Sequence, residues 1–301
     1  MKKANNKQQQ NNGKNNIKTF SVPYTLEEVK ENNTIDTNTL TKSPKKQIIN
    51  QALKFHSQGN IPEASKYYQL FIDKGFQDER IFSNYGAILK DLGKSKEAEL
   101  LIRKAIAINP NFAQAYSNLG LILKSIGKLQ EAESLLRKAI ELKPDFADAH
   151  SSLGNILREL GSLKEAEFLQ RKAVDLSPNF AKAHLNLGTV LRDLGEIQEA
   201  KKSYRRAIEL RPDFADPHYN LGNIFKEMGK IQEAEMCYQK AIELNPNFVQ
   251  AYYNLGDIMR IKGDISKGIK CSKRMMSLRP WSIIGSYSMN RKMKLNLTHN
   301  L

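Results

Sequence analysis

Residues 113–146 read AQAYSNLGLILKSIGKLQEAESLLRKAIELKPDF, and residues 147–180 read ADAHSSLGNILRELGSLKEAEFLQRKAVDLSPNF. The second stretch repeats the first, position for position, after 34 residues. The pattern recurs at 181–214, 215–248 and 249–282, and backwards at 79–112 and, more weakly, at 45–78. Seven blocks fit with no insertion or deletion. A fixed period of this length marks a repeat architecture, each repeat being one supersecondary unit.

Each block predicts two helices. Tyr116, Leu119, Gly120 and Leu123 recur at helical spacing in the first half; Ala132, Leu135, Leu136, Ala139 and Leu142 do so in the second. Between them, block position 15 is Gly in all seven: Gly59, Gly93, Gly127, Gly161, Gly195, Gly229 and Gly263. A helix that stops and reverses needs a left-handed residue, which Gly supplies without steric cost. Pro110, Pro144, Pro178, Pro212, Pro246 and Pro280 close six second helices, because proline drives the preceding residue out of the helical region. Position 8 is Gly from Gly86 to Gly256, at about 1 kcal/mol each against Ala. That repeated cost implies close helix packing, with Ala at position 20 (Ala98, Ala132, Ala166) as the expected partner. One helix pair cannot bury its apolar face alone, whereas stacked pairs bury it together. The predicted fold is all-α, a right-handed α-solenoid of about seven 34-residue helix-turn-helix repeats over 45–282, with an extended concave groove.

These residues resemble the tetratricopeptide-repeat (TPR) family. Its pattern of a bulky residue at position 4, Leu-Gly at 7–8, Ala at 20 and 27 and Pro at 32 is filled by Tyr116, Leu119-Gly120, Ala132, Ala139 and Pro144. Phrases such as ADPHYNLGNIFKEMGKIQEAEMCYQKAIELNPNF look like the TPR region of O-linked N-acetylglucosamine transferases. That resemblance implies a groove that presents protein substrates. Those enzymes, and bacterial proteins that join such repeats to a sulfotransferase domain, carry a large catalytic region after the repeats. Nothing in this sequence resembles either region, and no glycine-rich phosphate loop is present. The expected protein is therefore not an enzyme and needs no cofactor. Its expected role is a protein-interaction scaffold binding extended peptide segments. The alternative is the substrate-recognition arm of such a glycosyl- or sulfotransferase, its catalytic part missing or on another chain.

Position 6 is Asn in six blocks: Asn50, Asn84, Asn118, Asn186, Asn220 and Asn254. An amide both donates and accepts, so it can hold an extended backbone without reading its side chains. In the resembled transferases, asparagines at this place line the groove. Position 12 is basic in six blocks: Lys90, Lys124, Arg158, Arg192, Lys226 and Arg260. It is either a basic edge for acidic segments or a favourable charge at a helix C-terminus. Position 5 carries no Lys, which argues against a clamp for C-terminal carboxylates. His150, His184 and His218 lie one repeat apart, roughly 10 Å by helix-packing distances, too far to share a metal. No metal site and no catalytic residue is predicted.

Bulk properties agree with this reading. Charged residues are 26% and hydrophobic residues 40%, while aromatics are 8%, so Leu, Ile and Ala are expected to carry the core. The net charge of +15 is concentrated at the ends: residues 265–301 hold eight Lys/Arg and no Asp/Glu. A nucleic-acid reader would place a basic stripe on its folded face, so no nucleic-acid partner is expected, nor a small-molecule substrate. Cys237 and Cys271 are read as free thiols. MKKANNKQQQ lacks the apolar stretch of a signal peptide. No run approaches the ~18 apolar residues of a membrane span, so a cytoplasmic location is expected.

Residues 1–43 are Asn/Lys-rich and predicted disordered, apart from a capping-box spacing at Thr25 and Glu28. Residues 283–301 are read as a basic tail or remnant cap. The last block decays, with Lys267, Gly268 and Met275 at places usually Glu, Ala and Ala. It suggests a chain ending where a longer relative would continue.

Overall fold

A computed structural model describes residues 44–278. The expected disorder of 1–43, the Thr25/Glu28 capping box, Pro280 and the tail at 283–301 lie outside the described residues. Within them every element is a helix. The first helices of the blocks are α1 (Pro44–Ser57), α3 (Glu79–Asp91), α5 (Ala113–Ser125), α7 (Ala147–Glu159), α9 (Ala181–Asp193), α11 (Ala215–Glu227) and α13 (Val249–Ile261). The second helices are α2 (Ile61–Asp73), α4 (Ser95–Ile108), α6 (Leu129–Leu142), α8 (Leu163–Leu176), α10 (Ile197–Leu210), α12 (Ile231–Leu244) and α14 (Ile265–Ser277). Two compact units divide between Pro144 and Asp145. In the first, each helix from α1 to α5 packs on the next one in the chain, and first helices also meet, α3 against α5. The second repeats the scheme from α7 to α14, with α7 against α9 and α9 against α11. The architecture is an all-α helical-repeat solenoid.

The turn between the helices of a block is made as the glycines predict. Gly59 to Gly263 at position 15 have φ between 69° and 87°. The Gly127 amide donates to the Lys124 carbonyl (3.0 Å) and the Lys128 amide to the Leu123 carbonyl (2.9 Å), which satisfies the last carbonyls of α5. The far ends differ. Before proline, Asn109, Lys143, Ser177, Arg211 and Asn245 are extended, with φ from −132° to −144°. The first block lacks that proline and has Phe76 instead. There α2 ends in a left-handed Gly75, φ 71°, whose amide donates to the Ile72 carbonyl at 2.8 Å.

The position-8 glycines from Gly86 to Gly222 do mark a close approach, but Ala at position 20 is only half of it. A Cβ on Gly120 would lie 3.2 Å from the Ala132 carbonyl oxygen and 2.9 Å from Leu136 Cγ. The nearer neighbour is the side chain at position 24: Ile102 over Gly86, Leu136 over Gly120, Gln170 over Gly154, Tyr204 over Gly188 and Tyr238 over Gly222. The missing Cβ therefore seats one large side chain of the second helix in the first.

Leu, Ile and Ala make up most of the buried core, as expected, but aromatics join them. Tyr68, Tyr204 and Tyr238, all at position 24, are fully buried, as is Phe71. Aromatics are few in the sequence, yet three blocks use one at the central packing place. Each ring has a polar outlet for its hydroxyl, as a buried Tyr requires. Tyr204 donates to Thr189 Oγ1 (3.3 Å), Tyr238 to Asn223 Oδ1 (2.9 Å), and Tyr68 shares a 2.8 Å hydrogen bond with His56 Nδ1. Burial pushes all three hydroxyls above the usual Tyr range.

Candidate functional site

The asparagines of position 6 fall into distinct classes. Asn118 donates to Ser83 Oγ at 3.0 Å, and Asn186 donates to Ser151 Oγ at 2.9 Å. Asn254 donates to the Tyr219 hydroxyl at 3.3 Å and to Asn223 Oδ1 at 2.9 Å. In each case position 5 of the preceding block supplies an acceptor. These amides tie consecutive first helices together, a role the sequence reading missed. The signal was present: Ser or Tyr at position 5, followed by Asn 35 residues later. Asn118 is engaged on both sides, since its Oδ1 also accepts from Gln114 at 3.0 Å.

Asn220 is different. Its counterpart at position 5 is Leu185, which offers no acceptor. Asn220 is half-buried, and its side chain makes no hydrogen bond among the described residues. Asn50 on α1 is also half-buried. Asn84 is only 2% exposed, beside the buried Tyr68, and so drops out of the proposed contact set.

One turn along α11 from Asn220, an open depression is lined by Asn223, Lys226, Glu227 and Asn254. Asn223 Oδ1 accepts from both Tyr238 and Asn254, which leaves the Asn223 amide hydrogens and the Asn254 carbonyl oxygen available. The floor therefore presents both donors and acceptors at half-buried places, where water competes less for them.

The position-12 cations are mostly held by the chain itself. Arg158 and Arg192 both pair with Asp193, at 2.9 and 3.2 Å. Lys226 pairs with Asp257 at 3.3 Å, and Arg260 shares the same carboxylate. Lys90 pairs with its neighbour Asp91 at 3.1 Å, and Lys124 also has an interaction within the chain. The expected basic edge is thus largely neutralised. Pairs this exposed contribute about 0–1 kcal/mol each, so their main effect is on charge rather than stability.

Two of the three repeat-spaced histidines serve local structure. His150 Nδ1 and the Phe146 carbonyl are 3.0 Å apart, as are His184 Nε2 and the Pro178 carbonyl. Burial lowers the His218 pKa, with Lys240 adding to the effect. Cys237 packs against the cluster of Leu187, Leu191, Tyr204 and Leu221, and Cys271 against that of Tyr238, Leu255 and Met259. Both are free thiols, and burial pushes Cys237 up to about 11.

Tetratricopeptide-repeat family models match residues 79–112, 113–146, 147–180, 215–248 and 237–270, and a TPR-repeat model matches 188–229. Together they cover more than half of the sequence, and the chain belongs to the tetratricopeptide-repeat family. No curated protein matches it. Among solved structures, the APC/C hetero-tetramer Cut9–Hcn1 is similar at 16% identity, TM-score 0.68, over 76% of this chain and 45% of that one. Pseudomonas aeruginosa pilF is similar at 16% identity, TM-score 0.61, over 73% and 97%. A thermophilic TPR protein of Thermus thermophilus is similar at 23% identity, TM-score 0.54, over 60% and 99%. These likenesses establish the fold. The resemblance to transferase repeat regions gains nothing from them. No described helix is long and apolar enough to cross a membrane.

Proposed function

We propose that this protein is an interaction scaffold that holds an extended peptide segment along the first helices of its second unit, centred on α11 and α13. The observation that carries this reading is the unengaged amide of Asn220, left over because Leu185 cannot accept from it, next to the polar depression at Asn223 and Asn254. A helix interior gains little from Asn, and at Asn118, Asn186 and Asn254 the same amide ties neighbouring repeats together. At Asn220 it does neither, and it is free for a ligand backbone. The TPR fold supports a protein-binding role in general, and the paired cations beside the depression favour an uncharged segment over an acidic one. Asn186 and Asn254 keep a free carbonyl oxygen and extend the same line.

The test is a selection from a library of unstructured peptides on the full chain, followed by titration of a selected peptide. Asn220→Ala should weaken binding about threefold to tenfold, the loss of about one hydrogen bond, with helicity and melting unchanged. Equal affinity in the variant removes Asn220 from the site and the proposal with it.

A further inference from the structure

The last described helix of the second unit carries a surface that the repeat pattern alone does not account for. Ile197 and Ile208 of α10 pack against a cluster that includes Leu221 and Ile224 of α11. Ile231 and Ile242 of α12 pack likewise against a cluster that includes Leu255, Ile258 and Met259 of α13. Each pair occupies block positions 17 and 28. That face of a second helix therefore receives the first helix of the following block. In α14 the equivalent residues are Ile265 and Met276, which are 67% and 49% exposed.

A repeat whose outer face meets solvent should be more polar on that face than the repeats before it. Here the reverse holds at position 21. The five preceding blocks place Glu99, Glu133, Glu167, Lys201 and Glu235 there. In α12 that residue turns toward the next block, since Glu235 takes an ion pair from Lys262 at 2.6 Å. In α14 it is Ile269, 50% exposed. Ile265, Ile269 and Met276 stand at i, i+4 and i+11 and make one apolar stripe. Lys270 and Lys273 flank it, and Arg274 lies beyond. These three are exposed and form no ion pair among the described residues. α14 contains no Asp or Glu at all.

We propose that this face docks an acidic amphipathic helix of a partner protein, seated where the first helix of a following repeat would lie. Charge selects this occupant. The chain's own residues 279–301 carry Arg279, Arg291, Lys292 and Lys294 and no acid, so they bring like charge to Lys270 and Lys273. A second copy stacking its first helix there would bring Lys45, Lys46 and Lys54 of α1, again without an acid. An anionic bilayer shares the charge but is flat, whereas the equivalent faces of α10 and α12 each receive a helix. Exposed apolar stripes rimmed by charge are characteristic of interaction sites, and helix-in-groove recognition reads anchors at this spacing.

The experiment uses the full chain and two stapled helical peptides. Both carry Leu along one face; one has Glu on the flanks and the other Lys at the same places. Fluorescence anisotropy should show the Glu peptide binding at least tenfold tighter than the Lys peptide, with the preference shrinking in high salt. Ile265→Ser with Ile269→Ser should weaken the Glu peptide at least tenfold while circular dichroism keeps its helical signal. Lys270→Glu with Lys273→Glu should invert the preference between the peptides, an outcome that a misfolded variant would not give. Equal or absent binding of the two peptides overturns the proposal. So does capture of the chain by phosphatidylserine vesicles, or a dimer in sedimentation, if the serine variant abolishes it. Asn220→Ala should leave the Glu peptide's affinity unchanged, which separates this surface from the groove.

Discussion

Replacing a position-8 glycine by alanine should have opposite effects at two places in the same unit. At Gly188 the new methyl would lie 2.7 Å from two ring carbons of Tyr204 and 3.1 Å from the Ala200 carbonyl oxygen. The ring cannot easily move aside, because it is fully buried and its hydroxyl is bonded to Thr189. Overpacking of this kind costs about 1–3 kcal/mol, against a gain of about 1 kcal/mol from better helix propensity. The net expectation is a loss of about 1 kcal/mol. At Gly256 the nearest atom is Cys271 Cβ at 3.4 Å, followed by the Gly268 carbonyl at 3.7 Å. The methyl fits there, so the propensity gain survives at about 1 kcal/mol. The two variants should differ by about 2 kcal/mol in the free energy of local opening. Native-state hydrogen exchange is the suitable assay, because a repeat array need not unfold in one step. Amides of α9 and α10 should exchange faster in Gly188→Ala, and those of α13 and α14 slower in Gly256→Ala. Equal protection changes in both variants would refute the packing argument.

Four further outcomes follow from the same geometry. Burial lowers the His56 pKa, so the folded chain keeps this histidine neutral while the unfolded chain takes up a proton below about 6.5. Stability of the first block should therefore fall as pH drops from 6.5 toward the lowered value, and His56→Gln should flatten that slope in exchange measurements on α1 and α2. Asp193→Asn should release both Arg158 and Arg192; melting should shift by less than about 1 kcal/mol, while binding of a Glu-rich peptide, read by anisotropy, should rise and become salt-sensitive. Tyr204→Phe, which removes one 3.3 Å hydrogen bond, should cost about 0.5–1.5 kcal/mol in denaturant melts, whereas Tyr204→Ala should cost about 3–5 kcal/mol. With its thiol pushed up to about 11, Cys237 should react slowly with a disulfide reagent at pH 8, where about one thiol in a thousand is thiolate; labelling as fast as that of a free cysteine would contradict its burial.

The 34-residue period makes the helices legible in the sequence, because the residues that stop a helix are local. Gly at position 15 acts through its own backbone angles and Pro at position 32 through those of the residue before it, and within the described residues both behave as the sequence predicts. The partner of Gly at position 8 was legible only in part. Across the middle blocks position 24 varies among Ile, Leu, Gln and Tyr, so the pattern hides that all of them fill one notch. Composition was right that Leu, Ile and Ala carry most of the core, but 8% aromatics hid that three tyrosines at one structural place can anchor three blocks. The site was harder to read. Asn at position 6 looks uniform along the sequence, yet its partner sits 35 residues earlier. Asn118 faces Ser83 and is tied down, whereas Asn220 faces Leu185 and is not. Position 12 looks like a basic edge until Asp193 and Asp257 are placed beside it. Both differences depend on contacts between blocks, which composition and helical spacing do not carry.

The measurement closest to the central claim is a two-dimensional NMR titration that follows the side-chain amides as a selected peptide is added to the full chain. The Asn220 resonances should move most, with Asn223 and Asn254 following and the buried Asn84 still. Movement at α14 or across α1 with Asn220 unmoved would contradict the account.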